Sequence, residues 1–231
     1  METPTWLATL ARGILLLAIP IILLVTPLHL FVTPQFVQHE YGRRGFPPAE
    51  RFTPEERSRL SAAILHYLRG QLSVDQLAAL STTGGERALQ PREVQHLVDV
   101  KRVMDAFFTA HIVALGAALL ALAVLWRPPH RPYLPSTLQH GVWLTAGVMG
   151  AIILAAALDF EAFFTLFHRL FFAEGSWLFY ETDTLIQLYP LPFWVDAVWK
   201  LGLTILLEAA LLYGVAFRLD RSAWLIQEEI P

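Results

Sequence analysis

Two histidines in this chain have neighbours suited to acid–base chemistry. The first lies in the stretch Glu93 to Arg102, EVQHLVDVKR, where Glu93, His96 and Asp99 follow one another at intervals of three. On a helix these side chains share one side, so a carboxylate can hydrogen-bond the imidazole, hold its tautomer and strengthen it as a base. The pattern predicts an oriented general base. It also fits an acidic, solvated first turn of an ordinary helix.

The second histidine, His168, lies in the aromatic run FFTLFHRLFF at residues 163–172. Partial burial among phenylalanines would keep its imidazole neutral near pH 7, as a base or an acyl-transfer catalyst requires. The aromatic rings that we expect to contact acyl chains are those of Phe164, Phe167, Phe171 and Phe172. An aromatic belt at a membrane surface has a similar composition, so this interpretation stays open too.

Other classes of chemistry find little support in the sequence. The chain has no cysteine, which excludes disulfides, a thiol nucleophile and thiolate metal ligands. No GxSxG pattern of a serine hydrolase is present. His96, His168, Glu93, Asp99 and Asp183 could converge on a metal, but no HExxH or similar ligand spacing occurs, so we expect no metal and no cofactor.

The elements that must position the two histidines are membrane helices. The chain has 231 residues, of which 55% are hydrophobic and 16% charged, as is typical of a polytopic membrane protein. Its net charge of −3 gives no indication of nucleic-acid binding. We predict an all-α integral membrane fold, a single domain over residues 1–231, with spans at about 13–32, 103–126, 141–158 and 197–217.

Residues 33–102 are predicted to form a small helical cap. Thr53, Pro54 and Glu56 have the pattern of a capping box with proline at the first helical position. A second short helix is predicted after Ser73. Pro91 can begin the next helix, and no breaker follows before Pro128, so that helix would be roughly 50 Å long, whereas a bilayer core needs about 30 Å. Its first turns, with His96, should therefore project from the membrane core.

The distribution of arginine orients the spans. Arg127 and Arg131 lie in the short second loop, and Arg218 and Arg221 follow the last span, so these residues are expected in the cytoplasm. Both termini would then be cytoplasmic. His96, at the end of loop one, and His168, in an aromatic third loop, would lie together at the extracytoplasmic face.

The motifs around both histidines resemble those of the bacterial lipoprotein intramolecular transacylase family, Lit. The first is ExxHxxDVK, Glu93 to Lys101. The second is carried by Asp159, Phe160, Phe167, His168, Phe171, Phe172, Trp177, Asp183, Leu185, Ile186, Leu188, Pro190 and Phe193. The resemblance implies an acyltransferase of the bacterial cytoplasmic membrane with His96 and His168 as catalytic residues and Glu93, Asp99, Asp183 and Trp177 as supporting residues. Its implied partners are a diacylated lipoprotein substrate and membrane lipid, with no cofactor; the oligomeric state stays open.

The implied reaction moves the sn-2 acyl chain of an S-diacylglyceryl group to the α-amine of the N-terminal cysteine, which gives a lyso-form lipoprotein. One histidine would deprotonate the amine and the other would protonate the leaving glycerol oxygen or stabilise the oxyanion. We assign the base to His96 as a hypothesis, but the roles could be exchanged, and an acyl-histidine intermediate is also conceivable.

Two other functions remain open at this point. One is a different membrane lipid hydrolase or acyltransferase with the same histidine pair. The other is a small transporter or scaffold that depends on the charges Asp105, Lys200 and Glu208 in the predicted spans.

Overall fold

The computed structural model describes residues 5–228, with side chains through residue 221, and within this range its regular secondary structure is helical, apart from one isolated antiparallel bridge between Ser81 and Arg87. The helices are α1 Thr5–Val25, α2 Leu28–Phe31, α3 Pro34–Tyr41, α4 Pro54–Leu68, α5 Val74–Ala78, α6 Pro91–Leu125, α7 Tyr133–Leu158, α8 Phe160–Phe171, α9 Thr184–Leu188 and α10 Leu191–Glu228.

Among the residues that the structure describes, four helical segments are long and apolar enough to cross a membrane, as predicted: Thr5–Phe31, Pro91–Leu125, Tyr133–Leu158 and Leu191–Arg221. Helix α6 begins and ends at the predicted residues. Helices α1, α7 and α10 begin six to eight residues before the predicted spans, because the predicted spans begin directly after Arg12, His140 and Asp196, and these polar residues lie inside the helices. Pro20 lies inside α1 without ending it.

The described chain divides into two compact units, and the single domain over residues 1–231 stays a prediction. The first unit contains the chain up to Pro27, Phe108–Leu154 and the chain from Gly202. Its core is rich in alanine, which allows helices to pack closely in a membrane. Close packing is tightest at Gly141 of α7, where an added Cβ would lie 2.5 Å from Cδ1 of Ile19.

The second unit contains Leu28–Phe107 and Ala155–Leu201 and therefore both histidines. Its main core joins an apolar stripe of α4, which includes Leu60 and Ile64, to Leu97 of α6 and Leu188 of α9. This burial explains why the polar stretch after α1 folds into helices: the stripe of α4 has an apolar surface to cover.

Helix α4 has the predicted start but only half of the predicted capping box. The Thr53 hydroxyl accepts a hydrogen bond from the backbone N–H of Glu56 at 3.2 Å, with Pro54 in the first turn. The Glu56 carboxylate, however, accepts from the backbone N–H of Thr83 at 2.6 Å and not from the cap, because the turn after α5 offers it a closer donor. The second short helix, α5, has the complete capping box at Ser73 and Gln76.

The aromatic third loop is more ordered than predicted, since it folds into helices α8 and α9. The Asp159 side chain caps α8 by accepting from the backbone N–H of Ala162 at 3.0 Å. His168 therefore lies on a helix and not in an irregular loop. Helix α8 presents exposed Leu166 and Leu170 on the outside and the buried His168 on the inside.

Candidate active site

The position of His96 depends on the first turn of α6, which Glu93 holds in place. The Glu93 side chain is fully buried, and its two carboxylate oxygens accept hydrogen bonds from the backbone N–H groups of Gln90 and Leu185, each at 2.8 Å. The first bond caps α6 and the second joins it to the start of α9. Burial raises the pKa of Glu93, and the two backbone N–H groups oppose this change.

Asp183 joins the same two segments a second time. It is 1% exposed, and both its oxygens lie 2.7 Å from a guanidinium nitrogen of Arg92. It also accepts hydrogen bonds from the side-chain amide of Gln90 at 3.2 Å and from the backbone N–H of Tyr180 at 2.7 Å. Asp183 is therefore a structural carboxylate that positions the chain around the histidines.

His96 is buried against two phenylalanines, but the predicted carboxylate does not orient it. Its ring centre lies 5.1 Å from that of Phe172 and 5.3 Å from that of Phe179. Its Nδ1 atom is enclosed and has no hydrogen-bond partner among the described residues. Glu93 is occupied by backbone N–H groups, and Asp99 binds the Arg102 side chain at 2.8 Å. Both carboxylates one turn from His96 therefore accept hydrogen bonds from other donors, and neither binds the imidazole.

His168 has a defined tautomer. Its Nδ1 lies 2.7 Å from the backbone carbonyl oxygen of Phe164, one turn earlier on α8. A carbonyl oxygen can only accept, so Nδ1 carries the proton, and in the neutral ring Nε2 holds the free electron pair. The helix backbone thereby presents His168 as a proton acceptor through Nε2.

The two imidazoles lie side by side. Their ring centres are 6.4 Å apart and their planes differ by 19°. Burial and, second, the neighbouring His168 lower the pKa of His96 to about 4, against a smaller opposing effect of Asp99. Burial also lowers the pKa of His168, although its hydrogen bond to the Phe164 carbonyl opposes this. Both rings are therefore neutral at pH 7, as acid–base catalysis by an uncharged pair requires.

Aromatic side chains surround His168 on several sides. Its ring centre lies 4.1 Å from that of Phe164, 4.8 Å from that of Trp177 and 5.6 Å from that of Phe172. Phe167 contacts it edge-on at 5.5 Å and is 41% exposed. The fourth predicted phenylalanine, Phe171, packs instead on Phe107 and Phe167.

The structure also accounts for several groups that the sequence left ambiguous. Within residues 5–228, no three histidine or acidic side chains come together in a way that could hold a metal ion. Lys200 pairs with the buried Glu40, and Asp105 pairs with Lys101 at 2.9 Å. These charges have structural partners, so their presence gives no support to an ion pathway.

Sequence analysis missed three contributors to the site. The cap formed by Glu93 was visible in principle, because Gln90-Pro91 followed by an acidic residue two positions later is a helix-start pattern. The Arg92–Asp183 pair and the packing of Phe179 on His96 join residues more than 80 positions apart. Local spacing carries no information about such contacts.

Comparison with known proteins adds to this geometry. The chain matches the family model described as lipoprotein intramolecular transacylase Lit over residues 13–194. A protein of Aquifex aeolicus, described as uncharacterized, is 29% identical over 189 residues, which are 79% of this chain and 82% of that protein.

Solved structures are similar as well. The membrane integral lipoprotein intramolecular transacylase Lit from Bacillus cereus superimposes with a TM-score of 0.83 at 21% identity, over 96% of this chain and 100% of that chain. A histidine-to-arginine variant of that protein gives a TM-score of 0.75 over 94% of each chain. At this identity the likeness establishes the fold: an all-α membrane protein with four spans, as predicted.

Proposed function

Because the chain belongs to the Lit family of lipoprotein intramolecular transacylases, we propose that it moves the sn-2 acyl chain of an S-diacylglyceryl lipoprotein to the α-amine of the N-terminal cysteine. The chain is a membrane acyltransferase. Membership of the family excludes the interpretation as a transporter or scaffold. The specific acyl shift and the residues that perform it are our proposal.

The observation that carries the proposal is the buried pair of neutral imidazoles in which His168 presents a free Nε2. We assign the proton-transfer role to His168 and not, as the sequence suggested, to His96, because the Phe164 carbonyl holds its tautomer at 2.7 Å. His96 has no such partner on Nδ1. It takes the second role, in which a neutral imidazole N–H donates a hydrogen bond to the glycerol oxygen.

The proton moves in two steps. The amine nitrogen attacks the ester carbonyl carbon, and its N–H becomes acidic as the N–C bond forms, so that Nε2 of His168 accepts the proton. The carbonyl then re-forms, the C–O bond to glycerol breaks, and His168 returns the proton to the leaving oxygen. The result is an amide and a free hydroxyl, with no net gain or loss of atoms.

The reaction needs no second substrate, because donor and acceptor belong to one lipopeptide. Holding the amine close to the ester replaces a bimolecular encounter with an internal one, and this can supply several kcal/mol of the barrier. The amine, with a pKa of about 8, is partly deprotonated at neutral pH, so the site has only to accept the proton released on attack.

The aromatic side chains suit a lipid substrate. Phe164 and Phe172 contact the imidazoles, while Phe167 and its neighbours Leu166 and Leu170 expose apolar surface on α8. We propose that the exposed face contacts acyl chains or the bilayer and that the inner rings exclude water from the reacting ester.

We also propose that the site faces away from the cytoplasm, with both termini cytoplasmic. The support is the placement of Arg127 and Arg131 in the short loop between α6 and α7. The chain lacks cysteine, so a single cysteine at the exposed position Glu55 can be labelled without background. An impermeant maleimide should label it in intact cells; labelling only after lysis would contradict this orientation.

Mass spectrometry of a reporter lipopeptide tests the reaction itself. In a host without other N-acylation, this protein should leave the intact mass unchanged while fragmentation shows one acyl chain moved from glycerol to the amine. Replacing His168 or His96 with glutamine should abolish the product while the protein still folds. Near-normal activity of either variant would refute the mechanism.

Other products would identify the remaining alternative. A lipopeptide that lost one acyl chain would indicate a lipase, and one that gained a third chain would indicate an acyltransferase with a separate donor. Replacing His66 with glutamine, on α4 and without an assigned role, is the matched control for a histidine change in the same unit. It should leave the product unaffected.

A further inference from the structure

Trp177 has a buried hydrogen-bond donor without an acceptor. Its indole packs on the His168 imidazole in a tilted arrangement, with ring centres 4.8 Å apart and planes 36° from parallel. The Nε1 atom is enclosed and has no hydrogen-bond partner among the described residues. An indole N–H can only donate, and buried donors are nearly always paired in folded proteins. Packing alone therefore does not explain why this position has an indole N–H.

A second tryptophan in the same unit shows what a structural indole does. Trp194 is 39% exposed, yet its Nε1 donates to the backbone carbonyl of Tyr189 at 3.0 Å. The more enclosed N–H of Trp177 has no such partner. Phenylalanine would pack on His168 as well, so the ring contact alone does not account for an indole at this position.

The unpaired N–H is not isolated, because another unpaired nitrogen borders the same imidazole. Nδ1 of His96 is also buried without a partner, and the His96 ring lies 6.4 Å from that of His168. His168 is thus flanked by two nitrogens whose hydrogen-bonding capacity the protein leaves unused. An oxygen-bearing group that reaches His168 would lie next to the two rings that carry them.

We infer that the indole N–H of Trp177 hydrogen-bonds the ester carbonyl oxygen of the substrate and stabilises the negative charge that develops on it. This inference rests on the proposed acyl transfer. When the amine attacks the carbonyl carbon, the electron pair of the C=O bond moves to the oxygen; when the bond to glycerol breaks, that pair re-forms the C=O bond. A fixed donor in an enclosed site acts most strongly on that transient charge.

The division of labour follows from the chemistry of each group. The indole N–H does not ionise near neutral pH, so it donates a hydrogen bond without losing its proton. His168 moves the proton, and His96 contacts the leaving glycerol oxygen. Trp177 thereby becomes a third catalytic residue, which touches the carbonyl oxygen.

The sharpest test removes the N–H without changing the ring. Replacing Trp177 with 3-benzothienylalanine puts sulfur where the N–H stands and keeps the size of the bicyclic ring. We expect kcat to fall on the order of 100-fold with KM within about twofold, because the lost hydrogen bond is much stronger to the charged oxygen of the transition state than to the neutral ester carbonyl. The same replacement at Trp194 is the matched control and should leave kcat within about threefold.

Trp177→Phe provides a second variant, and thermal unfolding of both variants accompanies the kinetics. Unchanged kcat in the benzothienylalanine protein, with or without a lower melting temperature, would reduce Trp177 to a packing role and overturn the inference. A rise in KM with unchanged kcat would overturn it too, because the N–H would then stabilise the bound ester and the transition state equally. If the unaltered protein makes no acyl-shifted product, the proposed function itself fails, and this outcome is distinct from the others.

Discussion

Glu93 is the carboxylate that positions His96, and two replacements at this residue test how it does so. Its oxygens bind two backbone N–H groups that differ in their surroundings: Gln90 is exposed, whereas Leu185 is 7% exposed. Glutamine keeps one acceptor oxygen, which can serve Leu185, while the N–H of Gln90 turns to water. Alanine leaves the N–H of Leu185 buried and unpaired.

The two variants should therefore differ in stability. Glu93→Gln loses one charge-assisted bond at a site that water can reach, and relief of the buried charge offsets part of this, so we expect a loss of about 1–2 kcal/mol. Glu93→Ala loses both bonds and also leaves a buried donor unsatisfied, so we expect about 3–5 kcal/mol. For a chain of this size, 1 kcal/mol corresponds to roughly 2–4 °C in melting temperature.

Thermal unfolding of the purified protein measures the difference, with Glu55→Gln and Glu55→Ala as matched controls. Glu55 lies in the exposed first turn of α4, and its replacement should change stability by no more than about 0.5 kcal/mol. Hydrogen exchange locates the effect, because the amide of Leu185 should lose protection in the alanine variant and keep it in the glutamine variant.

Equal melting temperatures of the glutamine and alanine variants would refute the assignment of the two hydrogen bonds. A different result would restore the hypothesis drawn from the sequence. If Glu93→Gln kept its stability and its Leu185 protection but altered the pH dependence of catalysis, the carboxylate would be acting on the imidazole of His96 directly.

Two further predictions concern the titration of the histidines and the packing of the spans. Because the pKa of His96 is lowered to about 4 and that of His168 lies below its ordinary value, both rings stay neutral between pH 7 and pH 8. In this range the logarithm of the acyl-transfer rate should rise with pH at a slope of one until the substrate amine, with a pKa of about 8, is deprotonated. Rate profiles of the lipopeptide measure this slope, and a change to a slope of two already at about pH 6.5 would mean that a histidine titrates at its ordinary value. Gly141→Ala should destabilise the protein by about 1–3 kcal/mol, because the added Cβ would lie 2.5 Å from Cδ1 and 2.9 Å from Cβ of Ile19. Gly147→Ala, with nothing within 4 Å of the added Cβ, should be neutral or stabilising by up to about 1 kcal/mol, and equal melting temperatures of the two variants would contradict the packing.

The features that sequence predicted well are local ones. Helix α6 was predicted from Pro91 to Leu125 because Pro91 can open a helix and the prolines after Arg127 end it. The second short helix was predicted after Ser73, and the structure has it as α5, where Ser73 and Gln76 form a local capping box. Helix α8 was missed although Phe160, Phe163, Phe164, Phe167 and Phe171 recur at helical spacing, because the stretch was assigned to a loop on its aromatic composition.

The partners of the candidate site were predicted less well. The two histidines were expected to lie on one face from topology and from family resemblance, and the structure brings their rings together. The carboxylate of Glu93 was expected to bind His96, but it accepts a hydrogen bond from the N–H of Leu185. This donor lies 92 positions away, so the sequence near His96 does not reveal it. Spacing within a helix identifies which side chains can meet. Contacts between distant segments decide which donor a carboxylate binds.

The second unit is assembled from two separated stretches of chain, and this has a consequence for the timing of its formation. The bond between Glu93 and Leu185 spans 92 positions, and ribosomes add roughly 5–20 residues per second. After Glu93 is synthesised, about 5–18 s pass before its distant partner exists. During that interval the apolar stripe of α4 lacks the α9 residues that cover it, so the nascent second unit has an uncovered apolar surface until α9 is synthesised.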